Sequence, residues 1–321
     1  MQFNTFPFKK SFSTSYAFLF KLFIFLFALG YIVYQLKSKD VLIANIYNHI
    51  LPYVSFLLYL SFFLVPINWS VEAWKWSFLA SKIEKLSFVK ATEGTLTGLA
   101  LGMVTPFSLG EYLGRVLQAN SAARTRLIGA VFFNKVIQFF VTLFFGGIAL
   151  VYFLKNGVHY SLWDYCCLAL GIINISFLLL LFYPSLFYEL IKKLKVVPFL
   201  LGYFKILTAY HRKDVIVVIC ASFLRYLIFS LQFVLILTTF KVSNDITLLF
   251  TSAWFVFLAK SVVPTFFDFG VRETSAIYFF KVFNIHSDDV LFASISLWLM
   301  NVVLPAFVGL ILVFKIKLSA K

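Results

Sequence analysis

The sequence predicts an all-α integral membrane protein, and three observations lead to this fold class. Of the 321 residues, 62% are hydrophobic and 13% are charged, with a mean hydropathy of +0.94. A soluble core of this size could not bury so much apolar surface. Several apolar runs exceed the roughly 20 residues that a helix needs to cross a bilayer, and they lack the alternation of a transmembrane β-barrel.

Six transmembrane helices are predicted at the long apolar runs. Their approximate bounds are 17–36, 51–80, 127–154, 163–183, 215–240 and 290–314. The first run ends in lysines without a small-residue cleavage pattern, so we expect a retained helix and not a cleaved signal peptide. Near the end of the second run, Trp69, Trp74 and Trp76 are typical of an aromatic belt at the membrane interface.

Positive charge follows the ends of the predicted helices. The net charge of +15, from 28 Lys and Arg against 13 Asp and Glu, fits the positive-inside rule better than a nucleic-acid partner. The basic stretches 82–90, 115–126 and 192–213 and the C-terminus all become cytoplasmic under one condition. Residues 88–121 must enter and leave the membrane from the cytoplasmic side, and residues 246–286 from the outer side. The sequence therefore predicts two opposed re-entrant helical hairpins, with both termini cytoplasmic in a cell (inner) membrane.

The order of these elements predicts an inverted repeat within a single polytopic membrane domain, 1–321. Two helices, a hairpin and a helix make up residues 15–160, and the same order recurs with opposite orientation in residues 161–315. Substrate sites of transporters built in this way lie near the middle of the bilayer, where the repeats meet. The charged residues of the hairpins are therefore the first candidates for a binding site.

The first hairpin turns at Pro106, and its second helix carries a Glu and an Arg. Ser108 and Glu111 have the spacing of a capping box, with Gly110 between them, which predicts a helix start inside the membrane. This N-terminus would attract an anion such as phosphate, and Arg115 would add a bidentate donor. Alternatively, Glu111 and Arg115 form a structural pair, because they are four residues apart. Before the turn, three glycines spaced by four predict close helix packing: Gly94, Gly98 and Gly102.

The second hairpin breaks at Pro264 and carries adjacent charges. The candidates for the cap of the next helix are Thr265 and Asp268. Gly270 is expected to permit a close approach of the backbone. Arg272 and Glu273 follow it, and neighbours on a helix point about 100° apart, so we expect each to bind a different partner. A substrate headgroup is the favoured partner at this hairpin.

Charged residues also fall inside the predicted spans. Lys135, Arg225 and Lys260 are the candidates, since a central Arg or Lys costs about 2.5 to 3.5 kcal/mol and should face protein or water. They either line a substrate path or pair structurally with Glu111 or Glu273. The uncharged polar residues near them are Asn134, Gln138 and Gln232.

Other site chemistry is not indicated. The three cysteines fall within apolar runs, and the four histidines are scattered, so neither a disulfide framework nor a metal site is predicted. No nucleotide-binding loop or nucleophile elbow occurs, so no cofactor and no catalytic residue are predicted. Asp288 and Asp289 are expected to start the last helix.

The residues of both hairpins, together with the stretch 68–76, resemble a known family. Pro106, Gly110, Glu111 and Arg115, and later Pro264 with residues 270–273, are similar to the transmembrane (flippase-like) domain of the lysylphosphatidylglycerol synthases. The resemblance covers about residues 15–315. It implies movement of aminoacylated phosphatidylglycerol between leaflets, without the soluble domain that attaches the amino acid. Where family members often carry a Glu-Arg pair followed by Asp, this chain has Asn134, Lys135 and Gln138.

Three functions follow as expectations from the resemblance and the charges. The first is a lipid translocase for a phospholipid or polyprenyl-phosphate lipid, whose headgroup contacts Glu111, Arg115, Arg272 and Glu273. The second is a membrane-embedded transferase that uses Glu111, Glu273 or Asp268 as acid or base. The third is an accessory subunit of a lipid-modifying enzyme, bound through residues 184–214.

Overall fold

The computed structural model describes residues 55–103, 105, 108–161, 163–193, 202–263, 270–285 and 287–315. Every regular element within these residues is helical, which confirms the all-α fold class. The predicted helix at 17–36 lies outside the described residues, as do Pro106, Pro264 and Asp268.

The described helices follow the predicted order. They are α1 (Phe56–Ala80), α2 (Phe88–Met103), α3 (Leu109–Val116), α4 (Ser121–Tyr152), α5 (Trp163–Phe182), α6 (Pro184–Lys193), α7 (Arg212–Thr239), α8 (Ile246–Val262), α9 (Val271–Val282), α10 (Ser287–Trp298) and α11 (Leu304–Lys315). The π-helical turn Phe153–Gly157 extends α4, and the π-helical turn Leu299–Val303 joins α10 to α11.

Five of these segments are long and apolar enough to cross a membrane. They are α1, α4 with its extension, α5, α7 and the α10–α11 segment, which match five of the six predicted spans. On α5, only 6% of the most apolar stretch is buried within the protein. Such a contiguous exposed apolar surface fits contact with lipid. The chain is a multi-pass membrane protein.

The first hairpin, α2 with α3, is packed through glycines from both helices. A Cβ on Gly94 would lie 3.0 Å from the carbonyl oxygen of Arg115, and one on Gly98 would lie 3.0 Å from that of Glu111. Opposite them, a Cβ on Gly114 would collide with the backbone of Gly98. The predicted close approach of the two helices is confirmed, and it holds α3 in a fixed register on α2.

The predicted capping box at Ser108 is wrong. Ser108 adopts a left-handed backbone with φ of +53°, and its side chain makes no capping hydrogen bond. Instead, the N–H of Gly110 donates to Thr105 Oγ1 at 2.7 Å. Glu111 is thereby left free to turn away from the helix start and towards the cations of neighbouring helices.

The second hairpin consists of α8 and α9. Gly270 precedes α9 with φ of +103°, and no atom lies within 4 Å of the place a Cβ would occupy. Glycine is therefore required here for its backbone conformation, and not for the close approach that we predicted. The N–H of Gly270 donates to Glu273 Oε2 at 2.7 Å, so Glu273 caps its own helix.

Antiparallel helices α1 and α7 share a seam of polar contacts along their whole length, about 37 Å for the 25 residues of α1. Asp214 pairs with Lys82 at one end, and the hydroxyls of Ser55 and Thr239 are 3.4 Å apart at the other. Between them lie the contacts of Lys75 with Ser222, Glu72 with Arg225, and Ser61 with Gln232. This seam sets the register of the two helices and positions charges in their middle.

Candidate functional site

Six charged side chains meet where α1, α3, α4 and α7 converge. We call them the central cluster: Glu72, Lys75, Glu111, Arg115, Lys135 and Arg225. The structure thus brings together four of the predicted site residues, from α3, α4 and α7, and adds two from α1. Arg225 lies near the middle of α7, which places the cluster well inside the membrane-spanning segments.

Glu72 is the centre of this cluster. Its Oε1 accepts from Arg115 Nη2 at 2.7 Å and from Asn134 Nδ2 at 2.8 Å. Its Oε2 lies 3.0 Å from Lys75 Nζ and 3.2 Å from Arg225 Nε. A single carboxylate therefore connects four helices, and its loss would leave several buried donors without a counter-charge.

Glu111 forms the second centre. Its Oε1 accepts from Arg115 Nη2 at 2.6 Å, and its Oε2 pairs closely with Lys135 Nζ. The structural pair of Glu111 with Arg115, which the sequence offered as the alternative, is present. Arg115 is 3% exposed, and its Nε and Nη1 are buried without a hydrogen-bond partner. Arg115 therefore links the two carboxylates through Nη2, while its other two guanidinium nitrogens make no hydrogen bond.

Lys75 is fully buried, and sequence reasoning missed it together with Glu72. Its Nζ donates to Gln138 Oε1 and to Ser222 Oγ, both at 3.0 Å. Trp76 beside it is also fully buried, so the predicted aromatic belt is wrong at this position. The cost of a charge inside an apolar run, the rule that singled out Lys135, would also have found Glu72 and Lys75.

Two cations of the cluster are partly exposed, and we call them its exposed edge. The side chain of Lys135 is 35% exposed and that of Arg225 is 21% exposed, against 16% for Glu111 and 4% or less for Glu72, Arg115 and Lys75. The guanidinium of Arg225 also lies 5.5 Å from the ring centre of Trp69. An incoming anion would therefore meet Lys135 and Arg225 first.

Arg272 and Glu273 form a separate pair in the second hairpin, and our prediction that they do not pair is wrong. Arg272 Nη2 donates to Glu273 Oε1 at 2.6 Å and Arg272 Nε does so at 3.1 Å, with Ser294 Oγ at 3.2 Å from Nε. The side chain of Glu273 turns back to accept from the N–H of Gly270 at the helix start. The long, flexible side chain of Arg272 spans the angle between the two neighbouring positions and reaches the same carboxylate. Both residues are nearly fully buried, at 1% and 0% exposed.

Lys260 lies in the last turn of α8, outside the contacts described for the central cluster. The first turn of α10 contains Asp288 and Asp289, as expected. Within the described residues, no group of three or more His, Cys, Asp or Glu side chains could hold a metal ion. The surplus of cations in the central cluster also makes it unsuited to a metal.

An apolar groove of about 780 Å³ lies between α1 and α7, and no residue of the central cluster lines it. Its walls include Ile67, Val71, Val217 and Leu224, whose side chains offer no hydrogen bonds. Val71 and Leu224 directly precede Glu72 and Arg225 in sequence, so the groove and the charges lie on adjacent faces of the same two helices. A groove with such walls can hold hydrocarbon.

Comparisons with known proteins identify the family of the chain. The family model described as the lysylphosphatidylglycerol synthase TM region matches residues 17–309. No curated protein and no solved structure matches the sequence. Because the match covers most of the chain and includes the central cluster and the second hairpin, the chain belongs to the lysylphosphatidylglycerol synthase transmembrane-region family.

Proposed function

We propose that this protein is a lipid translocase that moves a phosphate-bearing lipid between leaflets. Membership of the family supports a role connected with membrane lipids. The observation that carries the proposal is the central cluster, which concentrates four cations around two carboxylates where the short helix α3 meets three membrane-spanning helices. Charged groups at such a depth are costly and are typical of a substrate path.

The phosphate of the headgroup would bind at the exposed edge of the cluster. Lys135 and Arg225 supply an ammonium and a planar guanidinium, both of which suit phosphate oxygens. Glu111 positions Lys135, and Arg115 positions both carboxylates from within. One acyl chain would lie in the apolar groove between α1 and α7, so that α7 contacts both the tail and, through Arg225, the headgroup.

The two hairpins would enter the membrane from opposite faces and give the headgroup access to each leaflet in turn. Cysteine labelling tests this topology. With the native cysteines replaced by serine, Ser108→Cys should react with a membrane-impermeant maleimide from the cytoplasmic side, and Thr274→Cys from the outer side. Labelling of both from the same side would contradict the inverted repeat and the cytoplasmic orientation of the termini that follows from it.

A liposome assay tests translocation itself. The purified protein is reconstituted with phospholipids that carry a fluorophore on one acyl chain, and dithionite added outside reports how fast lipids from the inner leaflet appear there. We expect the double variant Lys135→Gln, Arg225→Gln to lose most of this rate. Lys192→Gln, an exposed lysine of α6, is the control and should be unaffected. Equal rates for the double variant and the control would refute the proposal.

Two of the three residues that the transferase hypothesis proposes as acid or base are engaged in ion pairs. Both oxygens of Glu111 are engaged by cations, and Glu273 is buried against Arg272. The third, Asp268, lies outside the described residues. A general acid or base needs a carboxyl group that can reach the substrate and exchange a proton. An accessory role predicts that changes in residues 184–214, and not in the cluster, abolish function. The same liposome assay separates that role from translocation.

A further inference from the structure

We infer that the headgroup recognised by the central cluster is a phosphate dianion, as in a lipid phosphomonoester or diphosphate, and not a cationic aminoacylated headgroup. The inference rests on the proposed function. It starts from a count of charges: Lys75, Arg115, Lys135 and Arg225 against Glu72 and Glu111. With all six ionised, four positive and two negative charges leave the cluster at +2.

The surplus is located at the exposed edge. Glu72 and Arg115 are buried and lie within 2.7 Å of each other, and Lys75 is buried with three oxygen neighbours at 3.0 Å. Lys135 has a single carboxylate partner, which it shares with Arg115, and Arg225 shares Glu72 with two other cations. Lys75 shares Glu72 in the same way but is fully buried, so Lys135 and Arg225 are the cations of this surplus that a ligand can reach.

Charge balance then ranks the possible headgroups. A phosphomonoester carries about −1.5 to −2 at neutral pH and would nearly neutralise the cluster. A phosphodiester such as phosphatidylglycerol carries one negative charge and leaves a surplus. A lysyl-esterified phosphatidylglycerol has two ammonium groups and one phosphate, so its net positive charge would add to the surplus. Because the site lies among membrane-spanning helices, such repulsion is only weakly screened.

The uncharged partners of the cluster do not alter this count. Asn134 donates to Glu72 and Gln138 accepts from Lys75. Both side chains are neutral, so the cluster keeps its net charge of +2.

The test compares lipids that share the same labelled acyl chains and differ in headgroup. In the liposome assay, we expect phosphatidic acid to cross about tenfold faster than phosphatidylglycerol. Phosphatidylcholine and lysyl-phosphatidylglycerol should cross at the protein-free rate. If lysyl-phosphatidylglycerol crosses as fast as phosphatidic acid, the charge inference fails while translocation stands. If no lipid crosses faster than in protein-free liposomes, the proposed function itself fails.

A charge variant and a free anion sharpen the test. Lys135→Gln lowers the cluster to +1 and should reduce the preference for phosphatidic acid over phosphatidylglycerol from about tenfold to near unity, whereas Lys192→Gln should keep it. An unchanged ratio in Lys135→Gln would overturn the inference. Uptake of radiolabelled inorganic phosphate should remain at the protein-free rate. Protein-dependent uptake would instead assign the site to free phosphate and not to a lipid.

Discussion

The two hairpins carry the same kinds of charged residue but use them differently. In the first, Arg115 lies between Glu72 and Glu111, and the ion pairs continue into α1, α4 and α7. In the second, the side chains of Arg272 and Glu273 bind each other, with Gly270 and Ser294 as the remaining partners among the described residues.

The difference concerns net charge as well as connectivity. The second pair is neutral, since one cation faces one carboxylate, and both side chains are buried. The central cluster keeps a surplus of positive charge and exposes Lys135 and Arg225. A closed neutral pair can stabilise a helix start, whereas an open positive cluster can also bind an anion. Similar sequence motifs in the two halves therefore need not have similar roles.

The largest expected effect on stability concerns the buried pair of Arg272 and Glu273, which we call the closed pair. Glu273→Gln keeps an acceptor for the N–H of Gly270 but leaves Arg272 buried without a counter-charge, which should lower the free energy of unfolding by about 3 to 5 kcal/mol. Adding Arg272→Met removes this unpaired charge and should restore most of the lost free energy of unfolding. Unfolding by SDS titration in mixed micelles measures both variants. A double variant as unstable as the single one would contradict a self-contained pair.

The same experiment in the first hairpin should give a different outcome. The double variant Glu111→Gln, Arg115→Met removes an ion pair but also deprives Glu72 of its 2.7 Å partner and Lys135 of its carboxylate. We therefore expect a residual loss of about 1 to 3 kcal/mol, because the buried carboxylate of Glu72 loses the charged hydrogen bond from Arg115 and keeps only Asn134, Lys75 and Arg225. SDS titration again provides the measurement. If the double variant is as stable as the unchanged protein, the Glu111–Arg115 pair is as independent of its surroundings as the Arg272–Glu273 pair.

The sequence was sufficient for the helices because their apolar runs are long, and the cost of charge in a membrane was enough to select Lys135 and Arg225. It was insufficient where local rules compete with tertiary contacts. The angle between neighbours on a helix describes their Cβ directions, but the long side chains of Arg272 and Glu273 bend towards each other. Ser108 has capping-box spacing, yet its left-handed backbone leaves the cap to Thr105.

Effects of intermediate size are expected from the glycines at which α2 and α3 of the first hairpin pack together. Gly114→Ala would place a Cβ against the backbone of Gly98, which cannot yield as a flexible side chain can, so about 1 to 3 kcal/mol of stability should be lost. Gly102→Ala is the matched control, since its Cβ would meet Glu111 Cβ at 3.4 Å, an ordinary contact. Helix propensity should make that variant neutral or more stable by up to about 1 kcal/mol. If Gly114→Ala is as stable as Gly102→Ala in thermal unfolding, α2 and α3 pack less closely than the structure indicates.

The smallest effects should come from the two hydroxyls that bind the buried cations. Ser222→Ala removes one of three oxygens around Lys75 Nζ, which has three N–H donors, so one donor becomes unsatisfied, at a cost of about 1 to 2 kcal/mol. Ser294→Ala should cost less, about 0.5 to 1 kcal/mol, because Arg272 Nε still donates to Glu273 at 3.1 Å. SDS titration of both variants side by side resolves the order. The reverse order would mean that Arg272 depends on contacts beyond its own hairpin pair, and the contrast between a closed pair and an open cluster would then lose its basis.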